Sequence, residues 1–367
     1  MAQLRILIAG GGTGGHIFPA LAVARALVDR HDAEVLCVGT PRGLESRLIP
    51  EAGFALKLIE VGPLNSVSLL TRLRTIIELP RSVFECRRLI RGFRPGAVLG
   101  VGGYASGPTM AAALWLKVPA MVYEPNAMPG LANRLIGKRV QAAAINFPAA
   151  AKWLRNTELT GVPVRGEFFN LRPPSLDPRI VPPHLLIFGG SQGARLFNTQ
   201  MPQVIAPLLD AVPGLTVLHQ SGLRNFEVTD AAYKASGADA ARYEVRPFVT
   251  EMAAQFARAH LVMSRGGATT IAEEAAAAKP ALLVPFALSA DDHQRRNAEA
   301  MQAAGAAVML TETDLEAPGR LLNTLTGLLT NPDRLAAMAA AARSQAHPGA
   351  AERIADKLAE LTQKQQR

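Results

Sequence analysis

Short apolar runs that end in glycine clusters recur along this 367-residue chain. Residues 4–9 form the first, ending in Gly10-Gly11-Gly12-Thr13-Gly14-Gly15-His16 before a helical pattern over 19–28. Residues 185–188 form a second, ending in Gly189-Gly190-Ser191-Gln192-Gly193-Ala194 before a helical stretch that runs to about residue 209. Each spells buried strand, tight glycine turn and helix, the opening unit of a doubly wound α/β domain. Further units are predicted at 97–101, before Gly102-Gly103-Tyr104-Ala105-Ser106-Gly107-Pro108, and at 120–123, before Glu124-Pro125-Asn126. Two more lie at 261–264, before Arg265-Gly266-Gly267-Ala268-Thr269-Thr270, and at 281–285, before a loop with Asp291-Asp292-His293-Gln294.

Pro173, Pro174, Pro178, Pro182 and Pro183 crowd one stretch between the two series. Proline at that density denies helix and central strand, so 166–183 reads as a stiff linker. The predicted organisation is a first domain over 1–165 and a second over 184–345. Residues 346–367 then hold one amphipathic helix, over 350–366, with the option of packing back on the first domain. A chain of this length suits two domains of roughly 100–200 residues each.

Composition narrows the class. Hydrophobic residues make up 49% and charged residues 19%, enough to bury two cores. Cys37 and Cys86 stand at no motif spacing, which excludes a disulfide framework or thiolate metal site and fits a reducing compartment. The N-terminal apolar run is too short for a signal peptide. No run approaches the ~18 residues of a membrane span, so a soluble protein is expected. The net charge of +9 favours nucleic acid, anionic lipid or phosphorylated substrates. Aromatics at 5%, without basic-aromatic interleaving, argue against a base-stacking surface.

Part of that charge is concentrated in residues 66–94, where Arg72, Arg74, Arg81, Arg87, Arg88, Arg91 and Arg94 face only Glu78 and Glu85. Leucines and isoleucines are interleaved, and Pro80 predicts a break into two short amphipathic helices. The apolar stripe either covers the domain's own sheet or, with its arginines, meets an anionic bilayer at about 1 kcal/mol per basic residue.

Glycine turns after strands let backbone amides approach a phosphate and aim a helix N-terminus at it. Four such turns, all at apparent carboxyl ends of strands, lie where open α/β sheets bind ligands. In the segment from Arg265 to Glu273 the helix opens with two hydroxyls, and Glu273 stands one turn in. There its carboxylate either accepts two hydrogen bonds from a ribose diol or is an ordinary first-turn acid favoured by the helix dipole. No Asp-x-Asp pair suits a metal on a sugar diphosphate, since the side chains of the adjacent Asp291 and Asp292 diverge.

In order and spacing, from residue 4 to about 355, these motifs resemble the MurG family of peptidoglycan glycosyltransferases. The resemblance implies a GT-B fold, two Rossmann-like domains facing each other across a cleft. It implies inverting, metal-independent transfer of N-acetylglucosamine from UDP-N-acetylglucosamine to the C4 hydroxyl of lipid I, undecaprenyl-diphospho-MurNAc-pentapeptide, giving lipid II. Carried over by motif, donor binding falls on Thr13, Gly14, Gly15, Asn126, Arg165, Ser191 and Val249. It continues on Ala268, Thr269, Thr270, Ile271, Ala272 and Glu273, and on Gln294. Val249 is expected to bond uracil through its backbone, Glu273 the ribose, the helix start at Ala268 the diphosphate, and Asn126 and Gln294 the sugar hydroxyls. Loops for the acceptor diphosphate fall on Gly14, Gly15, Gly103, Tyr104, Ser106 and Gly190. The chain departs from the family at Tyr123 and Pro125, where His and Gln are common, and at His293, where a Gln is frequent. Pro125 removes a backbone donor beside Asn126.

An inverting transfer needs a general base for the acceptor hydroxyl and charge stabilisation for the departing UDP. Helix N-termini with Ser191 and Arg165 suit the second task, and neither metal nor cofactor is expected. His16 is the candidate base, with a structural role in its own loop as the competing reading; Glu124 is the reserve. Expected partners are UDP-N-acetylglucosamine, lipid I and, through residues 66–94, the anionic cytoplasmic face of the inner membrane. Other cell-wall synthesis and division proteins are further candidates; nucleic acid is not expected. A nicotinamide dehydrogenase, which would use Gly10, Gly12 and Gly15, is the first rival. A UDP-N-acetylglucosamine 2-epimerase, a non-catalytic subunit of a split transferase and a transferase for another lipid acceptor are the others.

Overall fold

Every apolar run read from the sequence becomes a parallel strand in the computed structural model. The structure describes residues 3–12, 14–41, 43–62, 69–172, 174–175 and 181–366, with backbone alone for 69–77 and 366. The chain divides into two units, Met1–Pro163 with His347–Arg367, and Val164–Ala346.

The first unit is built on β1 (Arg5–Gly10), β2 (Glu34–Gly39), β3 (Ala55–Leu58), β4 (Ala97–Gly102), β5 (Ala120–Glu124), β6 (Ala142–Ile145) and β7 (Thr157–Leu159). Their order is β3-β2-β1-β4-β5-β6-β7, and every neighbouring pair is parallel. Central strands of such a sheet are covered on both faces, so β1, β4 and β5 read as unbroken apolar runs rather than alternating ones. Successive side chains still point to opposite faces. Ile6 and Ile8 pack into one core with Leu27, while Leu7 and Ala9 join another with Ile90 and Met110. The sheet order reverses between β1 and β4, and the first two glycine loops leave the carboxyl ends of those two strands, the place where open α/β sheets take ligands.

The second unit repeats the plan with β8 (His184–Phe188), β9 (Thr216–Gln220), β10 (Tyr243–Arg246), β11 (Leu261–Ser264), β12 (Ala281–Leu283) and β13 (Ala307–Met309). The order is β10-β9-β8-β11-β12-β13, again all parallel, with its reversal between β8 and β11. Leu185 and Ile187 serve one core, Leu186 and Phe188 the other.

Two segments differ in detail from the sequence expectation. The helix Leu69–Phe93 runs through Pro80 without a break. Proline costs that helix one backbone hydrogen bond, but burial of Cys86 and Ile90 in the core holds its second half in line. The expected linker begins as part of the second unit: Gly166–Phe169 is a helical turn, and the fully buried Phe168 meets the Phe256 ring edge to face at 5.2 Å. The helix Ala350–Gln366 belongs to the first unit, where Ile354, Ala355 and Leu358 share a core with Ile6 and Leu27. Arg30 and His31 both reach Asp356 of that helix at 2.8 Å.

No helix among the described residues is long and apolar enough to cross a membrane. The two cysteines are free and buried, and burial pushes their thiols up to about 12 for Cys37 and about 11 for Cys86, which leaves them unreactive.

Candidate active site

In the first unit the site begins where β1 and β4 end. Gly12, Gly102 and Gly103 have φ of +93°, +96° and +79°, a region that glycine enters without steric cost. A Cβ on Gly103 would collide with the Gly11 carbonyl, and one on Gly102 would stand 2.8 Å from His16 Nε2. The two loops therefore touch backbone to backbone, and the imidazole occupies the space beside Gly102. His16 Nδ1 donates to the Gly11 carbonyl at 3.2 Å. A carbonyl only accepts, so the neutral ring carries its proton on Nδ1 and keeps Nε2 as its acceptor nitrogen. Gly14 is half-buried, while Gly15 and Tyr104 are exposed. Beneath the loop the buried Glu45 accepts the Gly12 N–H at 2.8 Å.

A second buried carboxylate organises the loop after β5. Glu124 Oε1 accepts from the Asn126 backbone N–H at 3.0 Å and from Asn126 Nδ2 at 3.1 Å. Its Oε2 accepts from Gly130 N–H at 3.1 Å and Asn133 Nδ2 at 2.9 Å. Burial pushes this carboxyl above its usual range, against the lowering effect of those donors.

In the second unit, Gly190 (φ +87°) and the exposed Ser191 follow β8. Gln220, the last residue of β9, ties two loops together: its Nε2 donates to the Gly190 carbonyl at 2.9 Å and its Oε1 accepts the Val249 N–H at 2.8 Å. The helix Ala268–Ala276 opens after β11 behind an extended Gly267, and no side chain caps it. Its first amides and the positive end of its dipole thus face outward without an internal anion. Thr269, Thr270 and Ala272 are half-buried there.

Glu273, one turn along, has a side chain only 19% exposed, and Arg165 Nη2 stands 3.9 Å away. Burial pushes the Glu273 carboxyl up to about 7, with Arg165 pulling it down and Glu167 adding to the rise. Arg265 anchors the base of this loop, pairing with Glu312 at 2.6 Å and donating to the Val284 carbonyl at 3.1 Å. On the facing loop Gln294 Oε1 accepts the Phe286 N–H at 3.0 Å. Asp291 and Asp292, just before it, are both left-handed at φ +52° and +55°, the kind of strain that collects at functional loops.

The N-terminal domain model of glycosyltransferase family 28 matches residues 6–145, and the C-terminal domain model of the same family matches residues 184–354. The chain belongs to glycosyltransferase family 28. This glycosyltransferase is 43% identical over 367 residues to a protein of Anaeromyxobacter sp. (strain Fw109-5), covering 98% of this chain and 94% of that one. That relative is named UDP-N-acetylglucosamine–N-acetylmuramyl-(pentapeptide) pyrophosphoryl-undecaprenol N-acetylglucosamine transferase. A protein of the same name from Solibacter usitatus (strain Ellin6076) is 43% identical over 359 residues, covering 97% and 95%. Among solved structures, MurG of Acinetobacter baumannii aligns with a TM-score of 0.80 at 29% identity, covering 97% of this chain and 99% of that chain. The GT-B reading of the sequence stands. A UDP-GlcNAc 2-epimerase from Neisseria meningitidis, at 12% identity and TM-score 0.64, shares the fold alone.

The transferase structure brings together most of the predicted residues within each unit and corrects some roles. Within the first unit Gly14, Gly15 and His16 open the helix Gly14–His31, and Gly103 and Tyr104 lie on the loop that touches the turn before it. Ser106 is fully buried, with its Oγ against Gly100, so it supports the loop and cannot reach an acceptor diphosphate directly. Glu124 is 2% exposed with both oxygens occupied, which makes it a clasp for the 125–133 loop rather than a proton acceptor. Asn126 keeps the backbone bond that Pro125 put in question. In the second unit the Val249 N–H is taken by Gln220, so pairing with uracil through that group requires Gln220 to turn away. Ala268 and Ile271 are buried, at 8% and 2% exposure, and offer backbone only. Thr13 lies outside the described residues. Sequence reading missed Glu45 and Gln220; one follows β2 and the other ends β9, and that position was the available signal.

Proposed function

We propose that this chain transfers N-acetylglucosamine from UDP-N-acetylglucosamine to the C4 hydroxyl of lipid I, with inversion, giving lipid II for peptidoglycan synthesis. The observation that carries this reading is identity of 43%, held across both units, to relatives bearing the name of that transferase. The site residues supply matching chemistry. His16 Nε2 takes the proton of the acceptor hydroxyl as its oxygen attacks the anomeric carbon. The leaving UDP carries its charge on a diphosphate, which the open N-terminus of helix Ala268–Ala276 meets with Ser191 and Arg165. These groups do the work that a divalent ion does in other sugar-nucleotide enzymes, so no metal is required. Glu273 holds the ribose diol, and Gln294, with its Oε1 engaged, offers its Nε2 hydrogens to the sugar.

The first unit also carries a surface suited to a lipid-linked acceptor. Phe84 and Trp115 are 49% and 52% exposed, with rings 5.4 Å apart, and the Arg87 guanidinium lies 4.5 Å over the Trp115 ring. Arg81, Arg88 and Arg91 are exposed nearby on the same helix, and Arg94 just beyond its end. Apolar rings flanked by arginines support peripheral binding to an anionic leaflet. Of the segment read this way, residues 66–68 and the side chains of 69–77, Arg72 and Arg74 among them, lie outside the described residues.

Transfer of labelled sugar from UDP-N-acetylglucosamine to a short-chain lipid I analogue, with EDTA present, tests the whole reading. Product is expected. Binding of the nucleotide sugar without transfer would overturn the acceptor, and transfer only after metal is restored would overturn metal independence.

A further inference from the structure

Glu45 is fully buried at the start of the helix Glu45–Glu51, in a pocket of three glycines. A Cβ on Gly11, on Gly39 or on Gly43 would collide with its side chain. Its Oε1 accepts from the Thr40 N–H at 2.9 Å and the Thr40 hydroxyl at 2.8 Å, and its Oε2 from the Gly12 N–H at 2.8 Å. Burial pushes the carboxyl up, but the amides of Gly12, Thr40 and Glu45 itself and the Thr40 hydroxyl outweigh it and hold the group below its usual range. It is therefore an anion at neutral pH.

The Gly12 N–H and the Gly11 carbonyl are the two ends of one peptide bond. That carbonyl accepts from His16 Nδ1 at 3.2 Å. A single amide thus joins a buried carboxylate to the imidazole. An N–H bonded to an anion makes the carbonyl of the same peptide a stronger acceptor, since hydrogen bonds in series polarise one another by about 10–30% per bond. On the far side, Gly102 and Gly103 close the space around the ring and around Gly11.

We propose that Glu45 is a positioning residue for the transfer: through the Gly11–Gly12 peptide it fixes His16 with its proton on Nδ1 and supports the imidazolium that forms when Nε2 accepts the substrate proton. This rests on His16 acting as the base. The arrangement does through an amide what a carboxylate bonded directly to a histidine does elsewhere. The Gly12 and Thr40 amides and the Thr40 hydroxyl converge on both oxygens of Glu45, and a glutamine, with one acceptor oxygen, cannot satisfy them all.

The test compares Glu45→Gln, Glu45→Asp and His16→Ala with the wild-type full chain. Glu45→Gln is expected to lower kcat by about 10–100-fold, as loss of an outer partner of a functional imidazole does. Its acid limb in the pH–kcat profile moves to lower pH, because a base without its supporting anion protonates less readily. Binding of UDP, whose uracil, ribose and diphosphate contacts are proposed on the second unit, stays within about twofold, and Glu45→Asp recovers the acid limb. An unmoved acid limb in Glu45→Gln, with His16→Ala down a hundredfold or more, would overturn the relay and leave the base reading intact. A loss under about tenfold in His16→Ala would overturn both. If Glu45→Gln does not fold, the imidazole nitrogen shifts of His16 in the wild-type protein decide, assigned against His16→Ala. A neutral ring protonated on Nδ1 is expected, and one protonated on Nε2 overturns the proposal.

Discussion

Arg165 and Glu273 meet at 3.9 Å within the second unit, although one precedes β8 and the other follows β11. The guanidinium also pairs with Glu167 at 2.9 Å and lies over the Phe168 ring, so it is shared among several partners and does not fully neutralise Glu273. Burial therefore prevails, and the carboxyl titrates at about 7.

With Glu273 on the ribose, as proposed, that value gives UDP binding a pH dependence. A carboxylate accepts both hydrogens of a ribose diol, whereas its protonated form does not. Affinity for UDP should fall by roughly tenfold between pH 8 and pH 6, one decade per unit below the group's pKa. Titration calorimetry at both pH values, in wild type and Glu273→Gln, checks this. The glutamine variant should bind weakly at both, and its residual slope subtracts the ionisation of the phosphate itself. Equal slopes in the two proteins would refute the assignment.

Glu124 should behave as a structural clasp. Glu124→Ala strips four donors of their acceptor, and unpaired buried groups cost about 1–3 kcal/mol each where water cannot replace the partner. We expect a lower Tm and weaker binding of substrate near Asn126, with the acid limb of the pH–kcat profile unmoved. Thermal unfolding and a pH–rate series separate these outcomes; a displaced acid limb would return Glu124 to the chemistry.

Glu274, next to Glu273, is 1% exposed, with the Ser264 hydroxyl donating to Oε1 at 2.7 Å and Oε2 unpartnered. Burial pushes it up from 4.5 to about 8. A raised carboxyl binds its proton more tightly in the folded state. Its contribution to stability is thus complete below about 4.5 and is lost as pH rises through about 8. Glu274→Gln keeps an oxygen for Ser264 and cannot ionise. It should raise Tm at pH 8.5 by on the order of 5 °C and change it little at pH 4.5. A calorimetric scan at the two pH values checks the difference.

The Phe84–Trp115 face predicts salt-sensitive membrane binding. The wild type should float with anionic vesicles at low salt and release at about 0.5 M salt, where the Debye length is only a few ångström. Replacing both rings by alanine should weaken flotation by about tenfold or more, given the apolar area removed. Absence of wild-type flotation at low salt would dismiss the surface as a membrane contact.

Much of this architecture was legible in the sequence because parallel strands buried on both faces leave unbroken apolar runs, and glycine marks the turns that follow them. Gly11, Gly102 and Gly103 were therefore found, and with them the position of His16. Glu45 escaped because a single acid near a helix start looks the same whether it is solvated or caged; only the fold shows that Gly11, Gly39 and Gly43 surround it. Pro80 misled for the opposite reason, since a local rule against proline yields when Cys86 and Ile90 fix the helix from its far side. Ser106 and Glu124 were placed on the right loops. Their burial, which decides between touching a ligand and supporting the loop that does, is a tertiary property that spacing does not carry.

The closing helix Ala350–Gln366 lies on the unit that begins the chain, and this sets an order on biosynthesis. As the polypeptide leaves the ribosome, the first seven strands emerge with one side of their sheet lacking Ile354, Ala355 and Leu358. The second unit, Val164–Ala346, is contiguous and has all its residues before the last helix is translated. Domains generally fold in the order they are made; here the unit started first waits for residues that are made after the whole of the second.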